Sequence, residues 1–310
     1  MLVFLTGATG FIGSHVARLL VSEGCEVYAL IRRGSDLWRI EDIAPSLQVV
    51  ACDLLAKEEL EAQLSRIRPE LCIHLAWYTE PGEYLTSQEN IRLLIASLNL
   101  ASLLESLGCK RFVAAGTCFE YDTSLAYLSE SSPTAPQSIY AASKLALQLV
   151  LAQLASTTRM SVAWLRFFYQ YGPFEHEGRL VPSVICSLLR NQVAKVTLGK
   201  QVRDFLHVED VASAAWAVAR SDLSGPVNIG SGEPVTVREI VTTIGAILKR
   251  PELIALGALP DRASDPRFVC ADNRRLVDNT GWAPRYDLEQ GLRHAVAWWQ
   301  VHLESCLVRA

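Results

Sequence analysis

Thr6-Gly7-Ala8-Thr9-Gly10-Phe11-Ile12-Gly13 is the stretch that decides how this chain folds. Three glycines, spaced three apart, follow a short apolar run (residues 3–6) and open an amphipathic segment (residues 11–22). Glycine at the first position permits a tight turn; at the second it lets backbone approach a pyrophosphate. At the third it lets helix and strand pack closely. The free amides and dipole at the start of the following helix then favour an anion. Glycines alone say little, but between a strand and a helix they predict a phosphate cradle, with a structural turn as the alternative.

Outward from this cradle the first half of the chain alternates apolar runs with helical periodicity. Strands are predicted at residues 3–6, 27–31, 48–51, 71–75, 112–115 and 161–166, and helices at 11–22, 57–67, 88–107 and 139–155. Such alternation predicts an α/β fold: a doubly wound parallel sheet covered on both faces. After Tyr171-Gly172-Pro173 the pattern loosens. Short strands at 196–198 and 227–229 mix with helices near 182–190, 208–220, 235–248 and 288–302. We therefore expect a dinucleotide-binding domain over residues 1–172. Residues 173–310 are expected to form mainly a smaller α/β substrate lobe, interleaved with the first and sharing a cleft with it.

The 310 residues are half hydrophobic and one-fifth charged, enough to bury a sizeable core. With 29 basic and 33 acidic residues the net charge is −4, and the basic residues form no long run. Nucleic acid is thereby disfavoured as a partner, since phosphate-backbone binding needs a concentrated basic face. No apolar run reaches the roughly 18 residues of a membrane span, so no membrane partner is expected. The N-terminus lacks a basic region and a cleavage site and reads as a core strand, not a signal peptide. Eight scattered cysteines form no CxxC pair or other metal-ligand spacing. Buried thiols in a reducing cytoplasm, and no metal, are the expectation.

A second motif carries chemistry. Tyr140-Ala141-Ala142-Ser143-Lys144 opens a helical segment, and its i, i+4 spacing puts phenol and ammonium on one face. A tyrosine is a poor acid–base group at its usual pKa of about 10, and a nearby ammonium favours the phenolate. Upstream, Phe112-Val113-Ala114-Ala115-Gly116-Thr117 ends a strand on a hydroxyl, followed by Cys118-Phe119-Glu120-Tyr121.

The glycine spacing preceded by Thr6, with Thr117, Tyr140, Lys144, Tyr171-Gly172-Pro173 and Gln201-Val202-Arg203-Asp204-Phe205, resembles the extended branch of the short-chain dehydrogenase/reductase family. Within it the chain is similar to the NAD(P)-dependent nucleotide-sugar epimerases and dehydratases. The resemblance spans nearly the whole chain and implies a Rossmann-type sheet. It also implies catalytic roles: Tyr140 exchanges a proton with the substrate oxygen, Lys144 tunes it and holds the ribose, and Thr117 orients the same oxygen. The implied cofactor contacts are Gly7, Thr9, Gly10, Phe11, Ile12 and Gly13 on the cradle. Arg32, Arg33, Asp53, Leu54, Leu75 and Ala76 lie beyond it, with Tyr140 and Lys144 at the reacting end.

NAD-preferring relatives carry an acid at the end of the second strand; here Ile31-Arg32-Arg33 stands there. A guanidinium can grip a 2′-phosphate, so NADP(H) is expected as cofactor, with NAD(H) possible and two solvated arginines as the alternative. Asp53 matches the position that contacts adenine, or it caps a turn. On the substrate side the resemblance implies a nucleotide-diphosphate sugar. Arg203 and Arg262 lie near its diphosphate, and Asp204 is structural. Trp77 and Thr79 are placed to line the sugar pocket, although Trp77 stands where a small residue is usual and packing is the alternative. Cys118 faces the substrate or is inert, and Arg179 occupies the place of a proton-moving histidine in epimerase-reductases.

Departures from the family pattern narrow the reaction. The acid–base carboxylates that follow the threonine in 4,6-dehydratases are replaced by Cys118-Phe119, with Glu120 one place out of register. What remains needs only Thr117, Tyr140 and Lys144. The expected reaction is NADPH-dependent reduction of a nucleotide-linked 4-keto-6-deoxy sugar, and residues 31–33, 74–76 and 201–205 resemble CDP-4-keto-6-deoxyhexose reductases. The alternative is a nucleotide-sugar 4-epimerase. A non-catalytic NADP(H)-binding regulator is a further alternative, set against the retained Thr117, Tyr140 and Lys144. Relatives often form homodimers through the segments 88–107 and 139–155, and the same is expected here.

Overall fold

Val3, Phe4 and Leu5 have no exposed surface, as befits a central parallel strand covered on both faces. The computed structural model describes residues 1–261 and 265–309, with the last four described as backbone alone. From β1 (Leu2–Thr6) the chain runs through α1 (Phe11–Ser22), β2 (Glu26–Ile31), β3 (Gln48–Ala51), α2 (Lys57–Ile67) and β4 (Leu71–His74). It continues through α3 (Glu89–Ser106), β5 (Arg111–Thr117), β6 (Tyr127–Leu128), α4 (Ile139–Thr157) and β7 (Ser161–Phe167). Next come β8 (Tyr169–Tyr171), α5 (Leu180–Leu189), β9 (Ala194–Val196), β10 (Val202–His207), α6 (Val208–Ala219) and β11 (Gly225–Ile229). The last elements are β12 (Pro234–Thr236), α7 (Val237–Ile247), β13 (Ile254–Leu256), β14 (Phe268–Ala271), α8 (Arg274–Thr280) and α9 (Leu288–Arg309).

Seven strands form one parallel sheet in the order β11-β7-β5-β4-β1-β2-β3. Alternate side chains point to opposite faces, which divides the core in two. Val3, Leu5, Ile73 and Val113 pack with Val16 of α1 and Val211 of α6, while Phe4, Cys72 and Phe112 pack with Leu100 of α3 and Leu147 of α4. The strand order reverses between β1 and β4, and in such sheets the ligand crevice opens beyond the carboxyl ends of the strands flanking that point. The predicted doubly wound sheet is the one observed.

A smaller sheet, β12-β10-β14-β6 with β8 beside β10, and the pair β13-β9 lie in the second lobe. Its core includes Val184 and Ile185 of α5, Ile240 and Ile244 of α7, and Leu292 and Trp299 of α9. The chain crosses between the lobes several times. β6 and β8 leave the first half to join the smaller sheet, and β11 returns from the second half as an edge strand of the large one. Strand β10 was not expected, because Arg203-Asp204 interrupts its apolar pattern. Asp204 is nonetheless fully buried, accepting backbone N–H bonds from Ser231 (2.6 Å), Gly232 (3.0 Å) and Ala271 (3.0 Å), which is how a sheet tolerates an internal carboxylate.

Helix α4 is long and apolar enough to cross a membrane by length and composition alone. Here it packs along α3 and the sheet with Tyr140, Ala141, Ser143, Lys144, Leu147 and Leu151 buried, so its apolar character serves the core.

A β-carbon added at Gly13 would lie 1.9 Å from the Gly7 carbonyl oxygen, backbone against backbone. Gly13→Ala must therefore open the cradle. We expect a loss of about 1–3 kcal/mol, the usual cost of overpacking, and at least tenfold weaker dinucleotide binding. Calorimetric unfolding and titration calorimetry with NAD+ check the two.

Candidate active site

Helix α1 begins at Gly10 with no side-chain cap, so its first turn offers backbone amides to an anion. The cradle is closed from behind by β4. The Thr6 hydroxyl meets His74 Nδ1 at 2.8 Å and accepts the Ala76 N–H at 3.1 Å, while His74 Nε2 meets the Ser97 hydroxyl at 2.8 Å. Burial pushes His74 down to about 3, so it is neutral and serves as a spacer between three elements. It sets Leu75 and Ala76 against Gly7, where a β-carbon would come within 2.7 Å of the Ala76 nitrogen. Thr9, Phe11 and Ile12 stand on the open side of this wall, only partly buried. This uncapped helix start beside a backbone wall too close for any side chain fits a dinucleotide pyrophosphate.

Beyond β2 and β3 lies an open depression of about 390 Å³ lined by Arg32, Arg33, Gly34, Ser35, Asp53, Ala56 and Glu59. Arg33 is ion-paired with Glu59, and Asp53 Oδ1 accepts the Leu55 N–H at 2.9 Å, capping the turn before α2. Leu54 is buried beside them. The two arginines and Asp53, distant in sequence, thus share one surface.

Tyr140, Lys144 and Thr117 meet at the carboxyl end of β5. Tyr140 is hydrogen-bonded to Thr117, and Lys144 Nζ donates to the Ala115 carbonyl at 2.8 Å. Both groups are dry. Burial pushes Lys144 down to about 7 and raises the Tyr140 phenol well above its ordinary range, with the Thr117 hydrogen bond opposing the second shift. The expected lowering of Tyr140 by its neighbouring ammonium is not found: desolvation dominates, and the group that opposes it is Thr117. Tyr84 packs edge-on against Tyr140 with ring centroids 4.9 Å apart.

Glu120 points away from this site. Its carboxylate accepts the Thr117 N–H (2.8 Å), the Trp164 indole N–H (2.9 and 3.0 Å) and Arg166 Nε (2.7 Å), in an ion pair with almost no exposure. Burial raises its pKa and the Arg166 guanidinium opposes the rise. Cys118 is buried with its thiol pushed up to about 12, which makes it inert. All seven described cysteines are free.

On the substrate side, Arg179 donates to the Thr79 carbonyl at 3.3 Å and lies 5.3 Å from the Tyr84 ring centroid. Arg203 is buried, pairs with Asp265 at 2.5 Å and lies 5.3 Å from the ring centroid of Tyr169. Trp77 is half-buried, its indole N–H on Asn90 Oδ1 at 2.7 Å and its face over Lys144. Arg262 lies outside the described residues. Reading the sequence missed Tyr84, Asn90 and Glu175, which carry no motif. It also missed the approach of His207 Nε2 to His294 Nδ1 at 3.2 Å, which joins residues 87 apart.

Glu175 carries an electrostatic cost. It is buried, one carboxylate oxygen accepts only the Gly172 N–H, and Oε2 has no partner among the described residues. Burial holds its pKa well above the ordinary 4.5, with Arg179 opposing. A raised folded value means that the folded state binds the proton more tightly. Stability from this group is therefore full below about pH 4.5 and is lost as pH rises toward the folded value. Melting curves of wild type and Glu175→Gln should coincide near pH 4.5 and separate above it, the variant becoming the more stable. Parallel curves up to pH 9 would show that Glu175 carries no such cost.

Three comparisons place this geometry among known proteins. The family model described as "NAD dependent epimerase/dehydratase family" matches residues 3–230. UDP-glucose 4-epimerase of Rhizobium leguminosarum bv. trifolii is 26% identical over 328 residues, covering 98% of both chains. The crystal structure of Thermotoga maritima UDP-glucose 4-epimerase with UDP-glucose superimposes with a TM-score of 0.88 at 25% identity, over 98% of this chain and 100% of that one. The Thermus thermophilus UDP-glucose 4-epimerase complex with NAD gives a TM-score of 0.84 at 25% identity, over 97% and 99%. With that match over most of its length, the chain belongs to the NAD-dependent epimerase/dehydratase family, the extended short-chain dehydrogenase/reductase enzymes of nucleotide sugars.

Proposed function

We propose that this enzyme reduces the keto group of a nucleotide-diphospho-4-keto-6-deoxy sugar to a hydroxyl with NADPH. The observation that carries the reading is the commitment of Glu120. It is the one carboxylate in the turn after Thr117, and it is spent on Arg166, Trp164 and backbone, while Cys118 holds its proton. Among the described residues, that turn offers no free group to take a proton from carbon, as elimination would require. Thr117, Tyr140 and Lys144 are sufficient for one hydride and one proton at a single oxygen-bearing carbon. A bound nicotinamide supplies the hydride. Thr117 orients the sugar oxygen, Tyr140 gives it a proton, and Lys144 holds positive charge beside the resulting phenolate. Arg179 and Arg203, with Arg262, are the cations proposed for the sugar diphosphate. Trp77 and Thr79 stand at the sugar end, and buried Cys118 packs beneath it.

Arg32 and Arg33 beside Ser35, with buried Ile31 where an acid would otherwise select NAD, support the 2′-phosphate of NADPH. A second reading, a 4-epimerase that retains NAD(H), is favoured by the UDP-glucose 4-epimerases among its relatives and by the Glu59 carboxylate that already engages Arg33. We further propose a homodimer through α3 and α4, whose Ile91, Ile95, Leu149 and Val150 are exposed.

The two readings separate on one assay. NADPH should be consumed with one of the CDP-, dTDP- or GDP-4-keto-6-deoxyhexoses, and Tyr140→Phe should lower the rate at least a hundredfold. Interconversion of UDP-glucose and UDP-galactose without added cofactor, and no NADPH consumption, would replace the reductase by the epimerase. Sedimentation equilibrium should give twice the 34.2 kDa chain mass; the single mass would remove the dimer.

A further inference from the structure

Lys144 is an ammonium in a dry site with no carboxylate within ion-pairing distance among the described residues. The groups that face it are few. Glu120, beyond the end of β5, favours its charge but is engaged by Arg166; His74 on β4 is neutral; Tyr140 shares its helix. One carbonyl, that of Ala115, accepts from Nζ. The remaining neighbour is the Trp77 indole, whose centroid lies 3.6 Å from Nζ, the shortest approach of a cation to a ring among the described residues. An indole face attracts a cation most strongly where water is excluded.

The indole is not there by loose packing. Its Nε1 donates to Asn90 Oδ1 at 2.7 Å, and Asn90 has no exposed surface. The amide nitrogen of Asn90 donates to the carbonyls of Tyr84 (2.6 Å) and Ser87 (2.9 Å). A single buried amide thus fastens both ends of the segment that lays Trp77 on Lys144 and Tyr84 on Tyr140.

We propose that Trp77, held by Asn90, is a positioning residue that keeps the Lys144 ammonium charged and aimed in its dry site. The inference rests on the reading that Lys144 contacts the dinucleotide.

The test is the affinity for NAD+, measured by titration calorimetry from pH 6 to 9.5 on the wild type and three variants. In the wild type, binding weakens as Lys144 loses its proton. In Trp77→Leu the midpoint of that weakening should fall by about one pH unit, a loss of affinity that approaches tenfold above the wild-type midpoint. Trifluorotryptophan at position 77 keeps the shape and drains the ring face, so it should move the midpoint the same way by a smaller amount. It also carries the test if the leucine variant does not fold. Lys144→Met should bind weakly with no such midpoint. An unchanged midpoint in the Trp77 variants, with a flat Lys144→Met, would overturn this inference alone. A wild-type pH dependence in Lys144→Met would overturn the reading of Lys144 and the inference with it.

Discussion

The catalytic end of the large sheet depends on one buried carboxylate. Glu120 ties the backbone of Thr117 to the side chains of Trp164 and Arg166 on the neighbouring strand β7, and Arg166 in turn stacks on Tyr121 at 4.2 Å. The fit is tight: a β-carbon at Gly116 would sit 2.1 Å from the Trp164 indole nitrogen and 2.6 Å from Glu120 Oε1. Desolvating an ion pair is costly, and such a pair holds only when every lone pair is answered. Here they are answered by the Thr117 N–H of β5 and by Trp164 and Arg166 of β7, so the strand ends of β5 and β7 cannot shift independently. Thr117 inherits its position from this arrangement, and Tyr140 is hydrogen-bonded to Thr117.

Dryness then shapes the acid–base pair. A phenol and an ammonium buried together are each driven toward neutrality, which raises one and lowers the other. The consequence is that neither charge form is stabilised until the other supplies it. In the proposed reaction, proton exchange with a substrate oxygen couples them: as the phenol yields its proton, an adjacent ammonium becomes worth far more than it would be in water. The segment carrying Tyr84 and Trp77 packs a ring against each group, which is why it belongs with the site although none of its residues forms a recognisable motif.

What could be read from the sequence was what is local. The cradle lies within eight consecutive residues and Tyr140 and Lys144 within five, so their geometry follows from turn and helix rules. The six first-half strands of the large sheet were legible because five of them are buried and almost continuously apolar and the edge strand β3 is short and β-branched, whereas the short β6 and β8, which join the smaller sheet, were not. β10 was not, since its buried Asp204 is satisfied by amides more than 25 residues away. Trp77 shows the limit most clearly. Its sequence position marked it as unusual, but the ring's partner is 67 residues further on and its anchor is 13 residues further on in another helix. No periodicity encodes such a triangle.

In the proposed NADPH reading, cofactor choice is a competition between a carboxylate and a 2′-phosphate for one guanidinium. Arg33 is exposed and already paired with Glu59, which lines the same depression as Arg32 and Ser35. An exposed ion pair of this kind contributes little, on the order of 0–1 kcal/mol, because solvent screens both charges. A phosphate dianion offers two guanidiniums bidentate, charge-assisted bonds that a single carboxylate cannot match. On the proposed reading Glu59 is a weak occupant that a 2′-phosphate would displace at small cost, while a bare ribose hydroxyl would leave the pair intact. On the proposed reading the same depression accepts either dinucleotide, and the strength of the preference rests on Arg32, which has no ion pair among the described residues.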